Sequence, residues 1–171
     1  MKETFDLTTQ LAFYKRYHSN DTNVQIHAVF VPLILYSSMV ILHKVELGAG
    51  WTLTHVLAVV FASYYVALDL RAGTLAASIL AITVRKIDSG ALNIPVNWAL
   101  LIFTTGWVAQ FMGHGVFERQ RPALLDNLVQ GLVTAPFLIL FELLFALGLY
   151  KSLQLEILQQ VARKNREAGR C

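Results

Sequence analysis

The stretch between Gly106 and Leu124 carries three polar side chains at regular spacing after a long apolar run. Gln110, His114 and Glu118 are four residues apart, so a helix would place them on one face as a single polar stripe. Imidazole and carboxylate groups bind iron, zinc or manganese, and they also act as general acids and bases. The spacing therefore predicts either a metal site or proton-transfer chemistry at the end of this run.

A second stretch, FYKRYHSNDTNVQIHAVFVP at residues 13–32, repeats the pattern. Tyr14 and His18 are one helical turn apart, and so are Asn23 and His27. The intervening SND predicts a break between two helices, with an N-cap for the second helix. Each helix would then carry one histidine to the same membrane boundary.

The histidines of the two stretches and the nearby carboxylate form the predicted metal ligand set, which is His18, His27, His114 and Glu118. Two histidines and one carboxylate with open positions are typical of non-heme iron oxygenases, although zinc and manganese accept the same donors. Tyr14 and Gln110 each precede a histidine by one turn and are the predicted catalytic residues. Tyr14 would donate a hydrogen bond to oxygen at the metal, and Gln110 would orient a ligand or the substrate.

The elements that position these groups must lie in a membrane. Of the 171 residues 56% are hydrophobic and only 15% are charged, and the mean hydropathy is +0.53, which is typical of an integral membrane protein. The net charge of +3 lies mostly in the carboxyl-terminal KNREAGR, which favours contact with anionic lipid over nucleic-acid binding. Cys171 is the only cysteine, so no intrachain disulfide is expected, and no removable signal peptide is expected at the polar amino terminus.

Five apolar segments predict an all-α, polytopic membrane helical bundle, and they are Val24–Leu42, Trp51–Leu70, Thr74–Val84, Leu92–Gly113 and Leu128–Tyr150. We expect about four crossings plus a re-entrant or interfacial C-terminal hairpin, broken near Pro136. This topology puts eleven Lys and Arg residues on the side of both termini and three on the other. Residues 1–150 would form a single membrane-embedded catalytic domain, and residues 151–171 a basic amphipathic or disordered tail.

Three further ionisable side chains need an explanation. We expect His43 and His55 to be interfacial side chains with no part in the chemistry. Glu142 lies within the apolar FLILFELLFALG, where an unpartnered carboxylate would cost a few kcal/mol. It is predicted either to support a histidine ligand or to form a hydrogen bond between helices.

Two blocks of the sequence resemble the signature regions of the fungal 2-hydroxy fatty acid dioxygenase family: residues 13–32, and GWVAQFMGHGVFERQRPALLDNLVQGLVTAPFLILFELLFALG from Gly106. The resemblance covers most of residues 5–150. It implies a multi-pass endoplasmic reticulum membrane protein that shortens 2-hydroxy acids by one carbon during phytosphingosine breakdown. It also implies Fe(2+) as the cofactor, with O2 and a long-chain 2-hydroxy fatty acid such as 2-hydroxypalmitate as substrates. The family's histidines fall on His18, His27 and His114, whereas Glu118 is proposed from spacing alone.

That reaction suits the sequence. Conversion of a 2-hydroxy acid to carbon dioxide and the shorter acid removes four electrons, and one dioxygen accepts four. No reduced cofactor is required, in agreement with the lack of a dinucleotide-binding motif. Basic residues near the boundary are predicted to bind the substrate carboxylate, as guanidinium groups do, and they are Lys15, Arg16, Arg119 and Arg121.

Two alternatives remain open from the sequence. The chain could be a metal-independent membrane lipid enzyme that uses His114 and Glu118 as acid and base. It could also be a non-enzymatic lipid-binding scaffold whose polar stripe ties helices together. Iron content and oxygen uptake separate these functions.

Overall fold

A computed structural model describes residues 6–119 and 129–167, and the chain is mostly helical, as predicted. The described part contains seven α-helices: α1 (Leu7–Tyr17), α2 (Asp21–Leu42), α3 (Leu53–Leu68), α4 (Leu70–Asp88), α5 (Val96–Met112), α6 (Ala135–Ala146) and α7 (Lys151–Glu167). An antiparallel hairpin of β1 (Glu46–Gly48) and β2 (Trp51–Thr52) joins α2 to α3. Two π-helical segments, Gly113–Glu118 and Val129–Thr134, follow α5 and precede α6.

The break predicted between the first two helices is confirmed. Helix α1 ends at Tyr17, and the side chain of Asn20 caps α2 by accepting a hydrogen bond from the Thr22 amide at 2.9 Å. This cap satisfies one of the amide groups that have no partner within a helix, so a new helix can begin with only three residues between it and the previous helix. The short break turns the chain between its first two histidines.

Helices α2 and α5 pack against each other in antiparallel directions through two glycines. A Cβ on Gly106 would lie 2.6 Å from Ile34 Cγ1, and one on Gly113 would lie 2.3 Å from Asn23 Oδ1. Only glycine allows the helices to approach this closely, as at many interfaces between membrane helices. The packing brings the end of α5 to the start of α2.

Helices α3 and α4 form a tight helical hairpin that turns at Asp69, whose side chain accepts a hydrogen bond from the Ala72 amide at 2.7 Å. A Cβ on Gly73 would lie 2.3 Å from the Tyr65 carbonyl oxygen, so the turn requires glycine there. Helix α4 is 19 residues long, whereas the predicted apolar segment Thr74–Val84 covered only its middle. Its ends are polar, which is why hydropathy alone shortened it.

Two helical stretches are long and apolar enough to cross a membrane, namely Asp21–Leu42 and Val96–Glu118. A third is possible if Gly131–Ala146 and Lys151–Lys164, which are bent by 115° relative to each other, form one broken span. Helix α3 is apolar but shorter. The prediction of about four crossings therefore stays a prediction.

The carboxyl-terminal helices were predicted to break near Pro136. The bend lies instead at residues 147–150. Pro136 lies in the first turn of α6, where a missing amide proton breaks no helical hydrogen bond. Gly148 and Tyr150 have positive φ angles of 76° and 54°, and these left-handed residues end the helix. Residues 151–167 of the predicted tail form α7, which packs on α1 and buries Ile157.

The bundle has two ends, which we call the α1 end and the hairpin end. At the hairpin end, Asp88 lies 3.3 Å from His55 and 3.7 Å from His43, so α4 returns to the end of α2. These contacts give His43 and His55 a structural role. At the α1 end, Tyr150 donates a hydrogen bond of 2.8 Å to Asp69. The turn of α3 and α4 therefore reaches the α1 end.

Glu142 joins two helices at the α1 end. Its carboxylate forms a 3.0 Å ion pair with Lys15, in a half-buried position, so it ties α6 to α1. Of the two predicted roles for Glu142, the link between helices is the one found. Lys15 is engaged in this pair and is not a free cation for a substrate.

Candidate metal centre

Three histidines from distant parts of the chain converge at the α1 end. His18 follows α1, His27 lies in the second turn of α2, and His114 lies in the π-helical segment after α5. Each is about 4–5% exposed, and one ring nitrogen from each lies within 4.8 Å of the others. Their ring centroids are 4.3 to 4.9 Å apart. This arrangement could hold one metal ion.

Backbone carbonyls orient two of the rings. His18 Nδ1 donates a hydrogen bond to the Tyr14 carbonyl at 3.0 Å, and His27 Nδ1 donates one to the Asn23 carbonyl at 2.9 Å. Because a carbonyl only accepts, these bonds place the proton on Nδ1 and leave Nε2 as the free donor of an electron pair. Histidine ligands of metals are generally oriented by such a bond from the other nitrogen.

Buried nitrogens without partners mark where an ion would bind. His18 Nε2 and His114 Nδ1 are buried and have no hydrogen-bond partner among the described residues. An unsatisfied buried polar atom is costly, by about 1–3 kcal/mol, unless a ligand satisfies it. The donor set and its orientation therefore fit a metal ion.

Burial keeps His18 in the form that binds metals. Desolvation, with the neighbouring His27 as a second cause, lowers the pKa of His18 to about 2. A neutral imidazole is the ligating form, whereas an imidazolium has no free electron pair.

Glu118 is buried but is not part of the histidine cluster. One carboxylate oxygen accepts hydrogen bonds from the backbone amide of Asn20 at 2.8 Å and from Asn23 Nδ2 at 3.3 Å. The other oxygen accepts one from Ser19 Oγ at 2.8 Å. The carboxylate therefore binds the amino terminus of α2, where a negative charge is favourable. Gln110 and His114 of the predicted stripe line the cavity, whereas Glu118 binds the start of α2 and does not line it.

Tyr14 and Gln110 both line the cavity beside the histidines. The Tyr14 hydroxyl and Gln110 Nε2 are buried and have no partner among the described residues. Burial, followed by the charge of Glu142, raises the pKa of Tyr14 well above its usual value, so the phenol keeps its proton. Both side chains can donate a hydrogen bond to a molecule bound at the cluster.

An apolar cavity of about 410 Å³ begins at the histidines. It follows one face of α2 from His27 through Ile34 and Ser38 to Leu42, about 22 Å along the helix axis at 1.5 Å per residue. Aromatic and aliphatic side chains of α3, α5 and α6 form the other walls. One leaflet of a bilayer holds its acyl chains within about 15 Å, so a cavity of this length accepts a long alkyl chain.

Arg16 and Arg119, two of the predicted carboxylate-binding arginines, do not line this cavity. Arg16 is half-buried on α1, and Arg119 is exposed with a positive φ of 52° at the end of the π-helical segment. Arg121 lies outside the described residues, as does the first residue of the predicted last segment, Leu128. None of the described residues that line the cavity is Lys or Arg.

Asn23 is a residue of this site that the sequence analysis did not assign. It is fully buried, its carbonyl orients His27 and its amide group holds Glu118. It also lies against Gly113. The four-residue spacing between Asn23 and His27 was the available signal, but the contact with α5 depends on tertiary packing.

Comparison with known proteins agrees with this geometry. A family model described as "2-hydroxy-palmitic acid dioxygenase Mpo1-like" matches residues 4–147, which include all three histidines. The 2-hydroxy-palmitic acid dioxygenase MPO1 of Saccharomyces cerevisiae is 45% identical over 168 residues, which cover 95% of this chain and 97% of that protein. No solved structure matches the chain significantly.

Proposed function

Because the chain belongs to the Mpo1-like 2-hydroxy-palmitic acid dioxygenase family, we propose that it is an Fe(II)-dependent dioxygenase of long-chain 2-hydroxy fatty acids. The products are the fatty acid one carbon shorter and CO2. The reaction is the α-oxidation step of phytosphingosine degradation that the resemblance implies. The yeast relative's name supports 2-hydroxypalmitate as the substrate.

The observation that carries this proposal is the buried group of His18, His27 and His114 at the end of an apolar cavity. A polar, metal-binding end and a long apolar channel match a molecule with a chelating head and an alkyl chain. Bound iron would supply the redox chemistry with dioxygen and polarise the 2-hydroxy acid.

The stoichiometry needs no further reductant. A 2-hydroxy acid and O2 give CO2, the acid shortened by one carbon and one water. The bond between C1 and C2 is broken, C2 becomes the new carboxyl carbon, and the four electrons lost by the substrate reduce dioxygen. The side chains of the site therefore have to bind and orient the acid and exclude water, without delivering electrons.

Gln110 and Tyr14 are the proposed catalytic residues. The unpaired amide of Gln110 would donate a hydrogen bond to the carboxylate or hydroxyl of the substrate, and the Tyr14 hydroxyl would donate one to the reacting oxygen. Arg16, Arg119 and Arg121 are proposed to attract the acid to the membrane boundary. The cavity walls exclude water from the reacting atoms.

Three histidines, without Glu118, are the proposed ligands. The Glu118 carboxylate is already bound by three donors around the start of α2, and Glu118 does not line the cavity. Its proposed role is to fix α2 so that His27 reaches the centre. Those same hydrogen bonds make it a poor partner for His114 in the metal-independent alternative.

We also propose that the protein is a multi-pass membrane protein of the endoplasmic reticulum. Residues 1–150 would form the catalytic domain, with four crossings and the carboxyl-terminal segment held at the α1 end. The contacts of Tyr150 with Asp69 and of Glu142 with Lys15 support this placement. Residues 151–171 would be the basic amphipathic segment that contacts lipid.

Metal analysis of the purified protein tests the proposal. We expect near-stoichiometric iron, and we expect His18→Ala and His114→Ala to lose it, because two remaining imidazoles bind a metal weakly. His43→Ala, at the hairpin end, is the matched control and should keep its iron. Oxygen uptake should follow 2-hydroxypalmitate and not palmitate.

Two outcomes would reject parts of this proposal. Full turnover by a metal-free preparation would show that the enzyme works as an acid and base without metal. An anomalous-scattering map with a Glu118 carboxylate oxygen within bonding distance of the iron would show that Glu118 is a ligand and that the centre has four protein donors.

A further inference from the structure

We propose that the cavity measures the alkyl chain of the substrate, with Ser38 near the position of the terminal carbons of a sixteen-carbon acid and with Leu42 and Leu57 at the far end. This inference rests on the proposed function, which it extends from a long-chain acid to a defined range of lengths. It identifies specificity-determining residues that take no part in the chemistry.

The positions along α2 set the depth scale. Ser38 lies eleven residues after His27, about 16 Å along the helix axis, and Leu42 lies fifteen residues after it, about 22 Å. An extended backbone advances about 1.2 Å per bond, since one residue of three bonds covers about 3.3–3.6 Å. By the same geometry the fifteen carbon–carbon bonds of a sixteen-carbon acid extend about 18 Å. Its last carbons therefore fall between Ser38 and Leu42.

Helix α5 gives the same scale in the opposite direction. His114 and Gln110 line the histidine end of the cavity, and Trp107 and Phe103 line it further along. Phe103 is eleven residues before His114, again about 16 Å, which places it at the depth of Ser38. On both helices, therefore, the polar residues line one end of the cavity and the apolar residues line the part further from the histidines.

The far end of the cavity is held in place by contacts between α2 and α3. The Thr54 hydroxyl donates a hydrogen bond to the Met39 carbonyl, and the Leu53 amide donates one of 3.0 Å to the Val45 carbonyl. Met39 and Thr54 are almost completely buried. Leu42 and Leu57 line the cavity on the two helices that these contacts join.

Selection by length must come from exclusion and not from added hydrophobic binding. A fatty acid in a bilayer already has its alkyl chain out of water, so transfer of a further CH2 group into an apolar cavity gains little. An acid too long for the cavity, in contrast, must bend or displace packed side chains, which is costly in a closely packed interior. The residues at the far end therefore set an upper limit.

Ser38→Phe is the direct test, because a phenyl group at this depth fills the channel. We expect the ratio of kcat/KM for 2-hydroxyhexadecanoic acid to that for 2-hydroxydecanoic acid to fall by at least about tenfold. The ten-carbon acid ends before Ser38 and should react as before. Leu33→Phe adds similar bulk on an exposed position of α2 outside the cavity and should leave the ratio unchanged.

Leu42→Ala tests the opposite direction and does not depend on the folding of Ser38→Phe. Shortening this side chain deepens the cavity, so the ratio of 2-hydroxyicosanoic to 2-hydroxyhexadecanoic acid turnover should rise several-fold. An equal loss for all chain lengths in Ser38→Phe, together with no change of preference in Leu42→Ala, would overturn the inference.

Binding measurements separate this inference from the proposed function. Displacement of radiolabelled 2-hydroxyhexadecanoic acid by unlabelled acids of increasing length reports the cavity even in a protein that shows no turnover. A length limit that shifts in the variants would support the inference although the dioxygenase function failed. Normal turnover with no length limit in binding would reject this inference and leave the proposed function standing.

Discussion

At the scale of single residues, the centre is marked by polar atoms that the protein itself leaves unsatisfied. His18 Nε2, His114 Nδ1, Gln110 Nε2 and the Tyr14 hydroxyl are all buried, and none has a partner among the described residues. Folded proteins satisfy nearly all such atoms, so four of them around one point indicate a place kept for bound molecules. These atoms lower the stability of the protein and make binding favourable.

Gln110→Met follows from this arrangement, because it keeps the shape of the side chain and removes the unpaired amide. The free energy of unfolding should stay the same or rise by about 1 kcal/mol, since an unsatisfied buried donor is lost. Turnover of 2-hydroxypalmitate should fall by about tenfold or more, because its carboxylate or hydroxyl loses a hydrogen bond. Chemical denaturation and steady-state kinetics measure the two effects. Lower stability with unchanged turnover would show that Gln110 is a structural residue.

At the scale of elements, the site depends on how closely α5 approaches α2. Gly113 lies against Asn23, which orients His27 through its carbonyl and Glu118 through its amide. His114 follows directly in the chain, so the distance between the two helices sets the distance between two of the three donors. Local sequence patterns do not predict this distance between α2 and α5.

Gly113→Ala should therefore damage the centre from outside it. The new Cβ would lie 2.3 Å from Asn23 Oδ1, and Asn23 is fully buried and cannot move aside. We expect a loss of about 1–3 kcal/mol in stability and several-fold weaker iron binding. Gly115→Ala, whose Cβ would meet no atom within 4 Å, is the matched control and should behave as the unmodified protein. Thermal unfolding and a metal titration compare them, and equal effects of the two substitutions would contradict this account.

What the sequence predicts at this scale is mostly local. The spacing of Tyr14 to His18 and of Asn23 to His27 predicted the two halves of the site, because helix geometry alone decides which residues face each other four positions apart. The partners of Glu118 were not predictable, because Ser19, Asn20 and Asn23 lie 95 to 99 positions away in the chain. The Lys15 to Glu142 pair also depends on tertiary packing, since 127 residues separate its members.

At the scale of the whole molecule, the first and last helices of the described part lie together. Helices α1 and α7 pack against each other, and α2 and α5 run antiparallel between the α1 end and the hairpin end. Helices α1 and α7 should consequently face one side of the membrane. The number of crossings then depends on whether the α3 and α4 hairpin reaches that side at Asp69, as its contact with Tyr150 supports.

Single cysteines test this topology, in a background in which the only native cysteine is removed by Cys171→Ser. Glu156→Cys and Arg71→Cys should react with a membrane-impermeant maleimide from the same side, and Glu46→Cys should react from the other. All three positions are exposed. Labelling of Arg71→Cys and Glu46→Cys from the same side of the membrane would show that α3 and α4 do not cross it. Labelling of all three from one side would contradict the spanning assignment of α2.

The positions of the three histidines along the chain also determine when the centre can form during synthesis. Two of them leave the ribosome early, with the first long helix, whereas His114 emerges only after the α3 and α4 hairpin and most of α5 have been made. Until then a nascent chain has a pair of imidazoles and an unfinished channel. A fragment that ends before His114 lacks one of the three nitrogen donors, so the centre can form only after about two thirds of the chain has been made.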